Sequence, residues 1–333
     1  MTRPRRVVTC AAAIAVLIHA AIAMAQVTGE ADVTVGHSTQ GVNAAGTQIR
    51  LFGPVSSEWR VWLEATWAGN YGERESDAFG SAYPYDRRLR PMEVYAERSF
   101  SGRGRLATLR VGRARLPFGI SGRSEHAYGG FTRAPLIRYG QNWALSNNFM
   151  STGVDALIGR PSLSVEGSVG VSQDEGADPR PESLDLVVRG QGYTHSTIIG
   201  VSHMRSRPSM SGPFVHGPMQ FSGIDARWMR GGLMLRGEWM AGRPFDGVKT
   251  RGGYVDAIVH HTGMGPVTLV GRVERLDYFA GPFSDFFRRA AVGGRYQATR
   301  ALGAQVNVIH QPHGLAGGHT TALDTSVTYT IRF

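Results

Sequence analysis

Toward the C-terminus every second residue is apolar or β-branched: Leu323, Thr325, Val327, Tyr329, Ile331 and Phe333 alternate with Asp324, Ser326, Thr328, Thr330 and Arg332. A period of two is that of a strand with one oily face and one wet face. The alternation recurs upstream. Trp59, Val61, Leu63, Ala65 and Trp67 oppose Glu58, Arg60, Trp62, Glu64 and Thr66, and Leu163, Val165, Gly167, Val169 and Val171 oppose Ser164, Glu166 and Ser168. Leu233 to Trp239, Val267 to Val273 and Leu302 to Val308 repeat it. In each segment the charge occupies a face that a soluble sandwich would have to bury, so the apolar face is the outer one. Aromatics such as Trp59, Trp67, Trp239, Tyr296 and Phe333 are read as interfacial girdles of a membrane β-barrel.

Counting back from the C-terminus, the pattern predicts strands at 322–333, 301–311, 288–298, 266–277, 252–261, 232–241, 221–230, 194–204, 183–190, 162–172, 152–160, 105–115, 90–100, 57–68, 46–52 and 27–36. That is sixteen, an even number. Short connections such as Gly53–Ser56, Ser101–Gly104 and Gly231 alternate with longer ones, and both termini fall on the short side. An up-and-down outer-membrane barrel requires this arrangement. The fold class is therefore all-β, a transmembrane antiparallel barrel. The strand ending on Phe333 resembles the C-terminal signature of Gram-negative outer-membrane barrels, which implies recognition by the barrel-insertion machinery.

The N-terminus changes the picture by supplying an address. Arg3, Arg5 and Arg6 precede an apolar stretch from Val7 to Ala23, and Ala23-Met24-Ala25 forms a small-x-small cleavage site before Gln26. This is a three-part secretory signal over 1–25, leaving 26–333 as the barrel. The only cysteine, Cys10, lies inside the signal, so the mature chain cannot use disulfides. The 42% apolar content excludes disorder. After residue 25 no apolar run approaches the ~18 residues of a spanning helix, which excludes a helical bundle. Glycine, at 44 residues, is about twice its usual ~7% share and suits turns and curved strands.

One connection exceeds the rest. Residues 116–151 separate the fifth and sixth strands, and an unstructured loop that long is usually functional. The segment Phe131 to Tyr139 could pass for another strand but would spoil the even count, so it belongs to the loop. The hairpin Met92 to Arg115 followed by Leu116-Pro117-Phe118-Gly119 resembles the corresponding strands and Pro-Phe-Gly turn of Gram-negative porins, including phosphate-selective ones. The resemblance implies a loop that folds inward and narrows the pore, a homotrimer, passive diffusion of small hydrophilic solutes, an outer-membrane setting among lipid and lipopolysaccharide, and no cofactor. Phosphate-selective relatives rely on lysine-rich features, whereas Lys249 is the sole lysine here.

Charge then suggests candidate residues. Of the formal +10, three positive charges belong to the signal. The strand parity gives a nearly balanced wall, with Arg60, Arg110, Arg227, Arg236, Arg272 and Arg295 facing acids that include Glu58 and Glu64. The surplus falls to loops and rims, where Arg113, Arg115, Arg123, Arg133 and Arg138, with Glu125, are the expected constriction and selectivity residues. A few fixed charges near low-dielectric walls dominate the field at a constriction. The arginine fork suits anions, so an anion preference is expected. Alternation beyond Gly112 would turn Arg113 and Arg115 outward unless a bulge intervenes. The alternatives are a receptor or structural barrel and, less well supported, a barrel enzyme. No Gly-x-Ser-x-Gly elbow is present, the spacing of His310, His313 and His319 is too loose for a metal site, and interleaved arginines and acids speak against nucleic-acid binding.

Overall fold

A computed structural model describes residues 27–72, 89–120, 130–138, 149–172, 182–209, 215–260, 265–312 and 320–333. The signal at 1–25 lies outside the described residues. Sixteen strands follow one another in chain order: β1 (Thr28–Ser38), β2 (Val42–Pro54), β3 (Trp59–Gly72), β4 (Arg90–Gly102), β5 (Arg105–Arg115), β6 (Met150–Arg160), β7 (Leu163–Ser172) and β8 (Ser183–Tyr193) form the first half. The second half comprises β9 (Thr197–Pro208), β10 (Met219–Arg230), β11 (Leu233–Arg243), β12 (Lys249–Val259), β13 (Val267–Phe279), β14 (Asp285–Gln297), β15 (Leu302–Gln311) and β16 (Thr320–Arg332). Every neighbour pair is antiparallel, and β1 pairs with β16 from Glu30↔Arg332 to Ser38↔Asp324, closing the barrel. Gly29 and Phe333 exchange backbone hydrogen bonds of 2.7 and 3.0 Å at the seam.

The sixteen expected strands are present, and most run longer than the pattern suggested. β2 starts four residues earlier than 46, because Ala44 and Ala45 pair with β1 although they are poor alternation markers. The faces are as expected. Ile158, 67% exposed, points outward, while Asp155 on the same strand is 6% exposed and faces in. Trp59, Tyr296 and Phe333 sit at strand ends, as a girdle requires, but Trp67 and Trp239 lie well inside β3 and β11.

The ladder is disturbed in one sector. Pairing of β3 with β4 slips between Leu63 and Ala65, and next to it Gly112 in β5 has φ 135°. A side chain there would adopt a backbone conformation that L residues rarely take, and its Cβ would meet the Val94 carbonyl oxygen at 2.3 Å. Beyond Gly112 the inside-outside alternation is lost: Ala114 and Arg115 are both buried as the chain leaves the wall. Gly112→Val is expected to cost about 1–3 kcal/mol of backbone strain alone. A lower thermal unfolding midpoint by circular dichroism checks this, and an unchanged midpoint contradicts it.

Candidate functional site

The connection after β5 enters the lumen. Leu116, Phe118 and Ile120 at its start and Phe131, Ala134, Leu136 and Ile137 further on are all buried. Residues 131–138 form no strand, and the segment closes in a short 3-10 turn at Leu136–Arg138. The placement of Phe131 to Tyr139 inside the loop holds for the described residues 131–138.

Two anchors fasten this loop to the far wall. In the first, Gly119 N–H donates to Ser202 Oγ on β9 at 3.1 Å. Its φ is 60°, and a Cβ there would fall 1.6 Å from Glu238 Oε1, so only glycine leaves room for the carboxylate. Arg138 donates Nε to Glu238 Oε2 at 3.1 Å, Nη2 to Glu238 Oε1, and Nη2 to the Phe118 carbonyl at 2.9 Å. Both side chains of this pair are almost wholly buried.

In the second anchor, Arg133 forks onto Asp324 of β16 through Nε at 2.7 Å and Nη2 at 3.0 Å, and Nη2 also reaches Gln40 Oε1 at 2.9 Å. Thr132 N–H donates to Asn307 Oδ1 at 2.9 Å, and its hydroxyl donates to Asp324 Oδ2 at 3.0 Å. The wall returns donors to the loop backbone: Arg272 Nη1 bonds the Arg133 carbonyl at 2.9 Å and Arg289 Nη2 bonds the Ala134 carbonyl. Leu136 N–H donates to Glu274 Oε2 at 2.6 Å. Arg272 lies 3.9 Å above the Phe131 ring and forks onto Asp256, which also accepts from Arg236 Nε at 2.9 Å. Each buried charge here thus has an opposite partner, which burial demands.

Above this polar belt the lumen beside the loop is filled with hydrocarbon. Leu116, Phe118, Leu136, Ile137 and Phe149 join Met204, Phe221, Met240 and Phe287 from the wall in one cluster. The lumen is therefore not water-filled throughout. A sector behind the loop is a packed core, because several inward positions of β8–β14 carry apolar side chains. Those inward methionines and phenylalanines were visible in the alternation and are the signal that sequence reasoning passed over. Ser202 and Asn307, the polar contacts for the loop backbone, had no such marker.

The other sector, β2–β7, keeps a polar lining. Arg50 bonds Glu30 at 2.8 Å and also pairs with Asp32. Arg110 pairs with Glu97 at 2.6 Å and stands 4.5 Å over the Tyr95 ring. Trp62 stacks between Phe52 and Tyr95, with centroids 5.4 and 6.4 Å away. At the end bearing the short turns a cavity of about 1120 Å³ is lined by these aromatics with Glu58, Arg60 and Glu97.

The expected site residues divide accordingly. Arg115 turns into the lumen and bridges Glu64 at 2.8 Å and Glu93 at 2.9 Å. Arg113 is partly buried, with Nε donating to the Met92 carbonyl at 3.1 Å. Arg123 and Glu125 lie outside the described residues. Arg133 and Arg138 are in the loop, but their guanidinium groups are neutralised and sealed, so they fasten it instead of meeting a permeating ion. Arg236 and Arg272 are likewise consumed by Asp256. Arg295 donates to Gln297 Oε1 at 2.9 Å. Glu58 is in the turn before β3, not on the wall, and pairs with Arg98 at 2.6 Å at the rim. Among the described residues, Arg60, exposed in the cavity, and Arg227, whose Nε is buried unbonded, form no hydrogen bond or direct ion pair, although Arg227 feels the nearby charge of Asp225. Arg227 stands directly across from Arg236, a like-charge neighbour.

A closed, sixteen-stranded antiparallel barrel with an infolded loop after the fifth strand is the fold of the outer-membrane porins. No protein-family model and no curated protein matches the sequence. Among solved structures, OmpF of Salmonella typhi in complex with daunomycin superimposes with TM-score 0.63 at 11% identity, over 92% of this chain and 97% of that one. OprB of Pseudomonas putida gives 0.66 at 8% identity over 92% and 93%. An anion-selective porin from Comamonas acidovorans gives 0.56 at 13% identity over 92% and 98%.

The anchor yields a prediction. Glu238→Ala strands the Arg138 charge in the interior and is expected to cost about 3–5 kcal/mol, much of which Arg138→Leu in the same chain restores. Unfolding midpoints and trypsin cleavage within 116–149 measure it. Equal loss in the single and double variants would contradict the pairing.

Proposed function

We propose that this protein is an outer-membrane porin that passes small hydrophilic solutes by passive diffusion, with a preference for anions. The observation that carries the reading is the loop docked against β9–β16 inside a closed barrel, opposite a polar sector and a cavity of about 1120 Å³ at one mouth. A structural or receptor barrel has no need of an infolded loop held by paired buried charges. The anion preference is supported by Arg60, exposed in the cavity, and Arg227, which among the described residues forms no direct ion pair, and by the selectivity named for the Comamonas porin. Asp185, by contrast, is fully buried among Ser172, Ser183 and Ser206 and is withdrawn from the lumen.

The rest of the reading follows from the same setting. Export uses the signal at 1–25, insertion uses the strand ending at Phe333, and the wall meets outer-membrane lipid and lipopolysaccharide. A homotrimer is supported by a neighbour from Vibrio cholerae described in its trimer form. The protein is no enzyme and needs no cofactor. The constriction is formed by 116–151, with Arg115 at its root and Arg123 and Glu125 within it.

Planar bilayers test this. The refolded protein is expected to give discrete conductance steps and, in a salt gradient, a reversal potential of anion-selective sign. Arg60→Glu with Arg227→Glu is expected to move that potential toward cations without abolishing conductance. Absence of steps would favour a receptor or structural barrel, and a cation-selective wild type would refute the anion preference.

A further inference from the structure

Buried acids on the lumen face are matched to arginines, as Glu64 is to Arg115 and Asp225 to Arg189. Asp185 on β8 departs from this. It is 0% exposed, and among the described residues it forms no ion pair. Its surroundings are hydroxyls: Ser172, Ser183 and Ser206 direct their Oγ–H groups at Oδ1, at 3.2, 3.1 and 2.5 Å. Ser183 Oγ is also bonded to Ser172 Oγ and lies 2.8 Å from Ser206 Oγ, so the three serines form one patch across β7, β8 and β9. Oδ2 of the same carboxylate is buried and has no hydrogen-bond partner.

A fourth serine joins this patch from the other side. Ser151 is the second residue of β6, where the long loop returns to the wall, and it is 5% exposed. Its Oγ approaches the Asp185 carboxylate, yet like Oδ2 it is buried without a hydrogen-bond partner. Gly170 on β7 makes the approach possible. It stands across the ladder from Asp185, and a Cβ there would lie 2.5 Å from Ser151 Oγ. Glycine at this position clears a space over β7 that β6 and β8 each face with an unbonded oxygen.

A buried carboxylate without a counter-charge is costly. Protonation does not remove the whole cost in this geometry: an Oδ2–H would be a buried donor without an acceptor, and Ser151 Oγ would stay unbonded. A cation between the two oxygens satisfies both. Every polar side-chain group of the patch is an oxygen, which suits a hard cation and not a transition metal. With a single carboxylate, a monovalent ion leaves the site neutral. Calcium, which gathers several carboxylates, would leave a positive charge buried.

We propose that Asp185 and Ser151 bind a sodium ion beside Gly170, with the hydroxyls of Ser172, Ser183 and Ser206 holding the carboxylate in place. The ion ties the returning end of the loop, at β6, to β8 and β9. It is a third fastening of that loop, beside the Arg138–Glu238 and Arg133–Asp324 pairs. The inference goes beyond the channel reading and does not depend on it.

The test is thermal unfolding of the full mature chain, refolded in detergent and followed by circular dichroism in sodium chloride and in choline chloride at equal ionic strength. Sodium is expected to raise the midpoint by about 2–4 °C for each tenfold increase beyond half-saturation, and choline is expected to leave it unchanged. Ser151→Ala removes a hydroxyl with no protein partner, so it is expected to keep the wild-type midpoint in choline chloride and to lose the sodium response. Asp185→Asn is expected to lose the response as well. Equal midpoints of the wild type in the two salts would overturn the proposal and leave Asp185 a neutral acid. A sodium response that survives in S151A, or a larger response to calcium at the same concentration, would also overturn it. If D185N does not fold, the wild type and S151A decide. None of these readouts needs a conducting channel, so failure of the porin reading in bilayers leaves them intact.

Discussion

In a bilayer core no water is present to satisfy a backbone N–H or C=O, so a strand can cross only if both of its edges are paired. The rest of this molecule follows from that constraint. The seam between β1 and β16 joins residues almost three hundred positions apart, and the exchange between Gly29 and Phe333 extends the ladder to the last residue. Closure in turn forces inside and outside to be different solvents. Apolar side chains that would be interior in a soluble protein, such as Val292 and Ile158, are among the most exposed here, while Asp185, Asp256 and Asp324 are among the most buried.

Placing a loop inside such a barrel raises an energetic problem that the lumen face solves. Its backbone leaves water without a ladder to join, so donors and acceptors must come from side chains of the wall. Glu274, Asn307 and Ser202 accept from loop N–H groups, and Arg272 and Arg289 donate to loop carbonyls. Arginine suits this role because one guanidinium can bind a carboxylate and a carbonyl together, as Arg272 does with Asp256 and Arg133. The arginines behind the loop are thus structural cations, and the apolar cluster of Phe118, Met204 and Met240 excludes water from their surroundings. Among the described wall arginines expected as site residues, Arg60 and Arg227 are left outside these pairings.

The two faces of β9–β14 show how a single strand serves two solvents. On β13, Arg272 and Glu274 are committed to the loop inside, and Arg275, one residue further, is exposed outside beside Arg288. Alternation alone separates these environments. A shift of one residue in register would exchange them, so the long unbroken pairings of β11 to β14 hold both faces in place.

Alternation and the terminal aromatic strand were enough to read a sixteen-stranded barrel, its long internal loop and the side of the wall on which most charges lie. These are legible because strand parity is local: each residue's face depends only on its neighbours in the chain. The partners of those charges are not local. Arg133 meets Asp324 and Arg138 meets Glu238 across the lumen, so residues that read as free loop cations become buried anchors. Arg115 escaped its parity because of a distortion at Gly112 that no periodicity announces. The sequence by itself determined topology and the inside and outside of each strand. Only the tertiary structure decided which arginines are neutralised, because neutralisation depends on distances between strands far apart in the chain.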